Sequence, residues 1–219
     1  PAIIPAAINT LLLVASIVFF TVILGIFLSV LLQSPFKLRG LARIMLISPF
    51  FIMPTVNALI WENLFLNPVY GFFAFISISL GLPVVSWLSD FPLFSIILMV
   101  SWQWTPFALL IFMTSLQSMD QEQIEAAEID GATEWKKFVY LTLPHLARPV
   151  AIVIMIQTIF HLSLFAEIYV TTSGGPGYQS TNIAFLIFAQ ALMQFDAGIA
   201  SAGGVFAIIL ANIIALFLI

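Results

Sequence analysis

In a chain that is 62% hydrophobic and only 7% charged, the residues able to do chemistry can be taken one at a time. Six polar or ionisable side chains fall inside long apolar runs: Asn57, Glu62, Gln103, Gln157, His161 and Glu167. Such groups are costly at membrane depth unless they are paired or face water. Gln157 and His161 are spaced i, i+4 and share one face of a helix. Glu167, six positions beyond His161, falls about 240° around the same helix and does not extend that face. Gln103 sits between Trp102 and Trp104. Amides beside aromatic rings suit a carbohydrate, whose hydroxyls take side-chain hydrogen bonds and whose C–H faces stack on rings. Helix–helix hydrogen bonding is the competing role for each amide, and proton relay a competing role for the histidine. Other chemistries lack their residues. The chain has no cysteine, its only histidines are His145 and His161, and no H-E-x-x-H, paired intramembrane aspartates or G-x-x-x-x-G-K-[ST] occurs. Thiol, zinc-hydrolase and phosphate-loop ATP chemistry are thereby excluded, and the chain reads as a non-enzyme.

The elements that position these residues are membrane helices. Soluble domains carry about 25% charged residues, and an apolar run of about 20 residues matches the thickness of a bilayer. Five runs qualify, roughly Ala7–Leu32, Leu41–Leu66, Pro92–Gln117, Pro149–Thr171 and Ala197–Ile219. They lack the alternation of barrel strands, so an all-α integral membrane protein is expected. Pro35 and Pro149 flank spans, whereas Pro49, Pro54 and Pro106 fall inside them and predict kinks in the second and third. "NPVYGFFAFISISLGLP" is too short to span and is expected to lie on the membrane surface. "IAFLIFAQALMQF" has the length of an interfacial or re-entrant helix. "TTSGGPGYQSTN" is a turn cluster.

The six basic residues, Lys37, Arg39, Arg43, Lys136, Lys137 and Arg148, occupy the segments between spans one and two and between spans three and four. The positive-inside rule makes those segments cytoplasmic. The N-terminus is then outside, which, with no signal peptide ahead of it, implies a preceding span and a chain trimmed from something longer.

The most charged stretch is "EAAEIDGATEWKKFVYLTLP", Glu125 to Pro144. Asp120–Asp130 reads as a short helix with Ile124, Ala126 and Ala127 forming a small-residue stripe. Gly131 marks a break. An amphipathic segment follows with Trp135, Phe138 and Leu141 at i, i+3, i+6, and Pro144 is expected to end it. A charged loop is commonly just a solvated linker; this one has internal structure and a face on which another protein can settle.

Glu125–Ala127, three residues, Gly131, nine residues and then Leu141-Thr142-Leu143-Pro144 resemble the EAA loop of permease subunits of bacterial binding-protein-dependent ABC importers. The sole departure is Leu141 in place of isoleucine. "NTLLL" at Asn9, "WQWTPF" at Trp102 and "AEIYVTTSGGPGYQSTN" resemble signposts of the carbohydrate-uptake branch, for sugars and sugar alcohols. The resemblance implies one permease domain over residues 1–219, a polytopic helical bundle of the type I importer kind with six or more spans in the full chain, and a cytoplasmic coupling loop at 118–146. It implies that Glu125, Ala126, Ala127, Gly131, Leu143 and Pro144 contact an ATPase. It places Thr55, Gln103, Trp104, Phe107, Gln157 and His161 along the substrate path. The implied partners are a second permease subunit, in sugar importers usually a different chain, two ATP-binding subunits and an extracytoplasmic solute-binding protein. The remaining partners are the sugar or polyol and the lipid of a bacterial inner membrane, with no nucleic acid. No cofactor is implied in this chain; ATP and magnesium belong to the ATPase subunits.

Two other classes fit the sequence less well. An ion-coupled secondary transporter would use His161 and Glu167, but gives no reason for the Glu125–Pro144 pattern. An intramembrane enzyme finds no constellation to work with.

Overall fold

The computed structural model describes residues 2–33 and 37–218; Pro35 lies outside the described residues. In chain order the helices are α1 (Ile3–Leu31), α2 (Arg39–Phe51), α3 (Pro54–Phe65), α4 (Phe72–Ser79), α5 (Trp87–Asp90), α6 (Pro92–Gln117), α7 (Gln121–Ile129), α8 (Glu134–His145), α9 (Ala147–Leu162), α10 (Ala166–Thr171), α11 (Ile183–Met193) and α12 (Ala197–Leu218). No strand occurs among the described residues. α1, α6 and α12 are each long and apolar enough to cross a membrane, and the bent pairs α2–α3 and α8–α9 bring the number to five if each pair is one span.

α1 and α6 form the spine. α1 is apolar all round, so hydrophobicity does not mark its inner face; beyond Val18 residue size does. Its buried residues include Thr10, Thr21, Gly25 and Ser29, while Phe19, Phe20, Ile23 and Phe27 point outward. Small residues let two helices approach closely where lipid gives no hydrophobic drive between them. At Gly25 an added Cβ would stand 2.8 Å from Ala108 Cβ and 3.1 Å from the Phe112 ring, both on α6.

The proline expectations divide. α2 and α3 meet at 109°, far more than a kink. Pro54 has no N–H to continue the ladder, and Met53 before it takes an extended conformation (φ −61°, ψ 140°), as pre-proline residues do. α6, by contrast, passes Pro106 without a break. Pro144 does not end its element. It lies inside α8, because Phe138–Thr142 form a π turn that shifts the hydrogen-bond register ahead of it, and the chain bends by 56° only at Leu146. The fourth span differs from expectation too. α9 stops at Leu162, and residues 163–165 turn the chain before α10. The Leu164 carbonyl that this turn frees accepts from the Asn182 side-chain amide.

α4 and α11 have eight and eleven residues, too short to cross as expected. The segment between α10 and α11 is a polar knot. Thr181 Oγ1 donates to the Gly174 carbonyl at 2.8 Å, and Ser180 Oγ bonds the Thr172 hydroxyl and the Gly175 carbonyl. The start of α1 holds this knot. Asn9 Nδ2 donates to the Tyr178 and Thr181 carbonyls at 2.8 and 3.0 Å, and Thr10 Oγ1 accepts the Ile183 N–H at 3.0 Å.

Candidate functional site

Two regions collect the residues singled out by sequence. The first lies where α3, α6 and α9 converge. Gln103 Nε2 donates to the Ile52 carbonyl at 2.6 Å, and its Oε1 accepts from Asn57 Nδ2 at 2.9 Å. The amide thus satisfies the backbone group freed at the α2–α3 break. Gln157 is fully buried; its Oε1 accepts from Thr21 Oγ1 at 2.6 Å, tying α9 to α1. Both glutamines therefore have their oxygens engaged within the chain.

His161 is different. It is 2% exposed, and neither ring nitrogen has a hydrogen-bond partner among the described residues. A buried imidazole left unpaired is costly. Its ring meets Trp104 edge-on at 4.8 Å, and Trp104 also packs against Phe50, Phe107 and Phe160 at 5.7, 5.8 and 5.3 Å. Beside this cluster is a hollow of about 280 Å³ bordered by Pro54, Trp104, Phe160, His161 and Glu167. Thr55 is exposed in the first turn of α3 next to Pro54, and Phe107 is half-buried against Phe50.

The bend at residues 163–165 brings Glu167 to the same hollow as His161, which a continuous helix would forbid. Sequence reasoning missed Phe50, Phe160 and Thr21. Both phenylalanines were submerged in a stock of 22; Thr21 could have been found from its four-residue spacing to Gly25 and Ser29. Glu62 is not among the residues bordering the hollow.

The second region is the polar loop. Asp120 caps α7, its Oδ1 accepting the Glu122 N–H at 3.0 Å. α7 ends in a Schellman motif: Ala132 N–H bonds the Ala127 carbonyl, Gly131 N–H bonds the Glu128 carbonyl, and Gly131 has φ +71°. Backbone conformation, not crowding, demands the glycine there, since a Cβ would meet nothing within 4 Å. Ile124 and Ala127 are turned toward the body and half-buried. Glu122, Glu125, Ala126 and Ile129, at i, i+3, i+4 and i+7, form the outward face. Ile129 is 88% exposed, an apolar anchor that the sequence reading did not single out. Leu143 and Pro144 are exposed on α8.

Across the Gly131 elbow, Lys137 Nζ pairs with Glu134 at 2.6 Å and Glu128 at 2.9 Å. These carboxylates, Glu134 first, hold the ammonium charged further into the alkaline range than a free lysine. His145 Nε2 lies 2.9 Å from the Ser115 carbonyl, fastening the end of α8 to the end of α6. The arrangement is a stiff, acidic, outward-facing helix joined through α8 and Leu146 to α9, which carries Gln157 and His161.

Residues 1–219 match the family described as binding-protein-dependent transport system inner membrane component. The chain is 39% identical over 170 residues to the trehalose/maltose transport system permease protein MalF of Thermococcus litoralis, covering 76% of this chain and 57% of that protein. It is 37% identical over 176 residues to the probable ABC transporter permease protein y4oQ of Sinorhizobium fredii, covering 80% and 57% respectively. The chain thus spans little more than half the length of these relatives. Among solved structures, a chain of a bacterial alginate ABC transporter, crystallised in complex with an alginate pentasaccharide-bound periplasmic protein, superposes with a TM-score of 0.85 at 26% identity, covering 98% of this chain and 76% of that one. With the match running over its whole length, the chain belongs to the family of binding-protein-dependent transport system inner membrane components.

Proposed function

We propose that this chain is the membrane-spanning subunit of an ATP-driven importer, in a bacterial inner membrane, that moves a sugar, sugar alcohol or related carbohydrate into the cytoplasm. The observation that carries the reading is the outward face of α7, Glu122, Glu125, Ala126 and Ile129, held at a fixed angle to α8. With no phosphate loop in these residues, ATP-driven motion would reach them through a contact, and this face supplies one. An ATP-binding subunit seats Glu125 and Ala126, with the half-buried Ala127 beneath that face, Gly131 at its end, and Leu143 and Pro144 at the edge of the contact. Its closure on ATP and magnesium moves α7 and α8 together, and α9 with them.

The hollow beside Trp104 is the substrate path in this reading. Trp104, Phe160 and His161, whose two ring nitrogens are buried and unpaired, border it; Phe107 packs against Trp104 behind them, and Thr55 follows Pro54 of the border. Gln103 and Gln157 brace the walls. A soluble binding protein delivers substrate to the face that carries the Thr172–Asn182 knot, and a second permease subunit completes the enclosure. The relatives, named for trehalose/maltose and alginate transport, support a carbohydrate. The ion-coupled alternative would draw on Glu167 and His161 sharing the hollow, but it leaves the α7 face without a role.

The test is gentle purification from the native membrane, followed by mass spectrometry of what accompanies the chain. A P-loop ATPase should co-purify and be lost on Glu125→Arg; Gly131→Pro should leave insertion intact and uncouple hydrolysis from uptake. Recovery of the chain alone, active in ion-driven uptake, would overturn the reading.

A further inference from the structure

An exposed lysine pair ordinarily contributes little to stability, yet Lys137 is not ordinarily placed. Its side chain is 14% exposed, and one ammonium reaches Glu128 on α7 and Glu134 on α8 at 2.9 and 2.6 Å. Neighbouring Lys136 is exposed. Among the described residues these are the ion pairs of the chain, and both converge on one nitrogen. Between the two helices lies the Gly131 elbow, with φ +71° and open space around the glycine. A Cβ at Gly131 would meet nothing within 4 Å, and glycine is the residue whose backbone yields most readily. A push on α7 would be absorbed there as bending unless something spans the joint.

We propose that Lys137 is a positioning residue for energy coupling: a strut across Gly131 that makes α7 and α8 one lever. The inference rests on the coupling role given above to the loop. The lever is fastened at its far end as well, where His145 Nε2 meets the Ser115 carbonyl at 2.9 Å, so a displacement of α7 arrives at Leu146 and the start of α9. The carboxylates do not need the lysine to fold α7, which has its own Asp120 cap and Schellman ending.

The experiment uses the complete complex with its ATP-binding subunits and does not require the sugar. These 219 residues have no cysteine, so Ser163→Cys, exposed at the hollow, adds the labelling position within them, and peptide mapping reads the label at that site. Its maleimide labelling rate is read with and without a non-hydrolysable ATP analogue plus magnesium. The nucleotide should change the rate in the otherwise unaltered chain. Lys137→Gln should shrink that response by about fivefold, the lower range of coupling between linked sites, while the ATP-binding subunits still co-purify. Lys137→Arg should restore most of it. Should Lys137→Gln fail to assemble, Lys137→Glu combined with Glu128→Lys and Glu134→Lys decides, since reversed pairs should restore the response. A full response in Lys137→Gln, or none in both rescuing variants, overturns the strut. If Glu125→Arg also leaves the response intact, the coupling reading itself falls; if Glu125→Arg abolishes it and Lys137→Gln does not, only the strut falls.

Discussion

At the scale of single residues, His161 and Gln103 show how two similar polar groups part company. Gln103 closes its hydrogen bonds inside the chain. Gln103→Leu should therefore destabilise the fold by about 1–3 kcal/mol, through an orphaned Ile52 carbonyl and an Asn57 amide left with the Met99 carbonyl alone, read as a lower unfolding midpoint of the complex in detergent. His161 has nothing to lose inside the chain. His161→Phe keeps the contact with Trp104 and should leave stability close to unchanged while raising the half-saturating substrate concentration roughly tenfold, as for about 1.4 kcal/mol of lost hydrogen bonding. Uptake titrations by both variants separate the roles. The shared face of Gln157 and His161 was legible because a four-residue spacing survives any helix packing. The meeting of Glu167 with His161 was not, because nothing local in "HLSLFAE" says that a distant amide, Asn182, will claim the Leu164 carbonyl and hold a turn open.

Among the elements, α1 shows why hydrophobic periodicity fails inside a membrane. Its lipid-facing and protein-facing sides are equally apolar, so the informative pattern is size, in the run Thr21, Gly25, Ser29. Gly25→Leu should force α1 away from Ala108 and Phe112 and destabilise the α1–α6 pair by about 1–3 kcal/mol, measurable as increased protease sensitivity of the purified complex. The proline rules succeeded where a second residue reinforced them. Gln103 fixes the α2–α3 break, whereas Pro106 alone does not interrupt α6 and Pro144 is absorbed by a π turn. The α7–α8 joint has a predictable pH response. The folded-state pKa of Lys137 is raised, so its pairing is fully present below the free-lysine value and disappears as pH climbs through the raised one. The nucleotide response at Ser163→Cys should then be flat between about pH 6 and 9 and fall only on the alkaline side.

Across the whole molecule, the two ends are chemically distinct. Ile26, Phe27 and Val30 near the end of α1 face Trp135 and Phe138 of α8 across an apolar groove, and Leu32 packs with Ala42 and Leu46 of α2. All six basic residues gather toward that end, while the Thr172–Asn182 knot sits at the start of α1. If the basic end is cytoplasmic, a membrane-impermeant maleimide applied to intact spheroplasts should label Gln179→Cys and should reach Gln123→Cys only after lysis; the opposite pattern would invert the orientation. The candidate spans and the charged, internally structured loop between α6 and α9 were readable from run length and charge. The angle between α2 and α3 and the path of α10 were not, since both are set by side chains more than fifteen residues away.

The clasp between Asn9, Thr10 and residues 178–183 also imposes a timetable on the ribosome. Thr10 and Ile183 are separated by 173 positions, so at about 5–20 residues per second the partner emerges roughly 10–35 s after α1. Throughout that interval the Asn9 side-chain amide lacks its two acceptors. α1 then leans on the insertion machinery, or on α6 once that helix arrives, until residues 178–183 are synthesised. Crosslinks from Asn9 to the insertase should persist on nascent chains stalled before residue 178 and vanish on chains stalled well beyond 183.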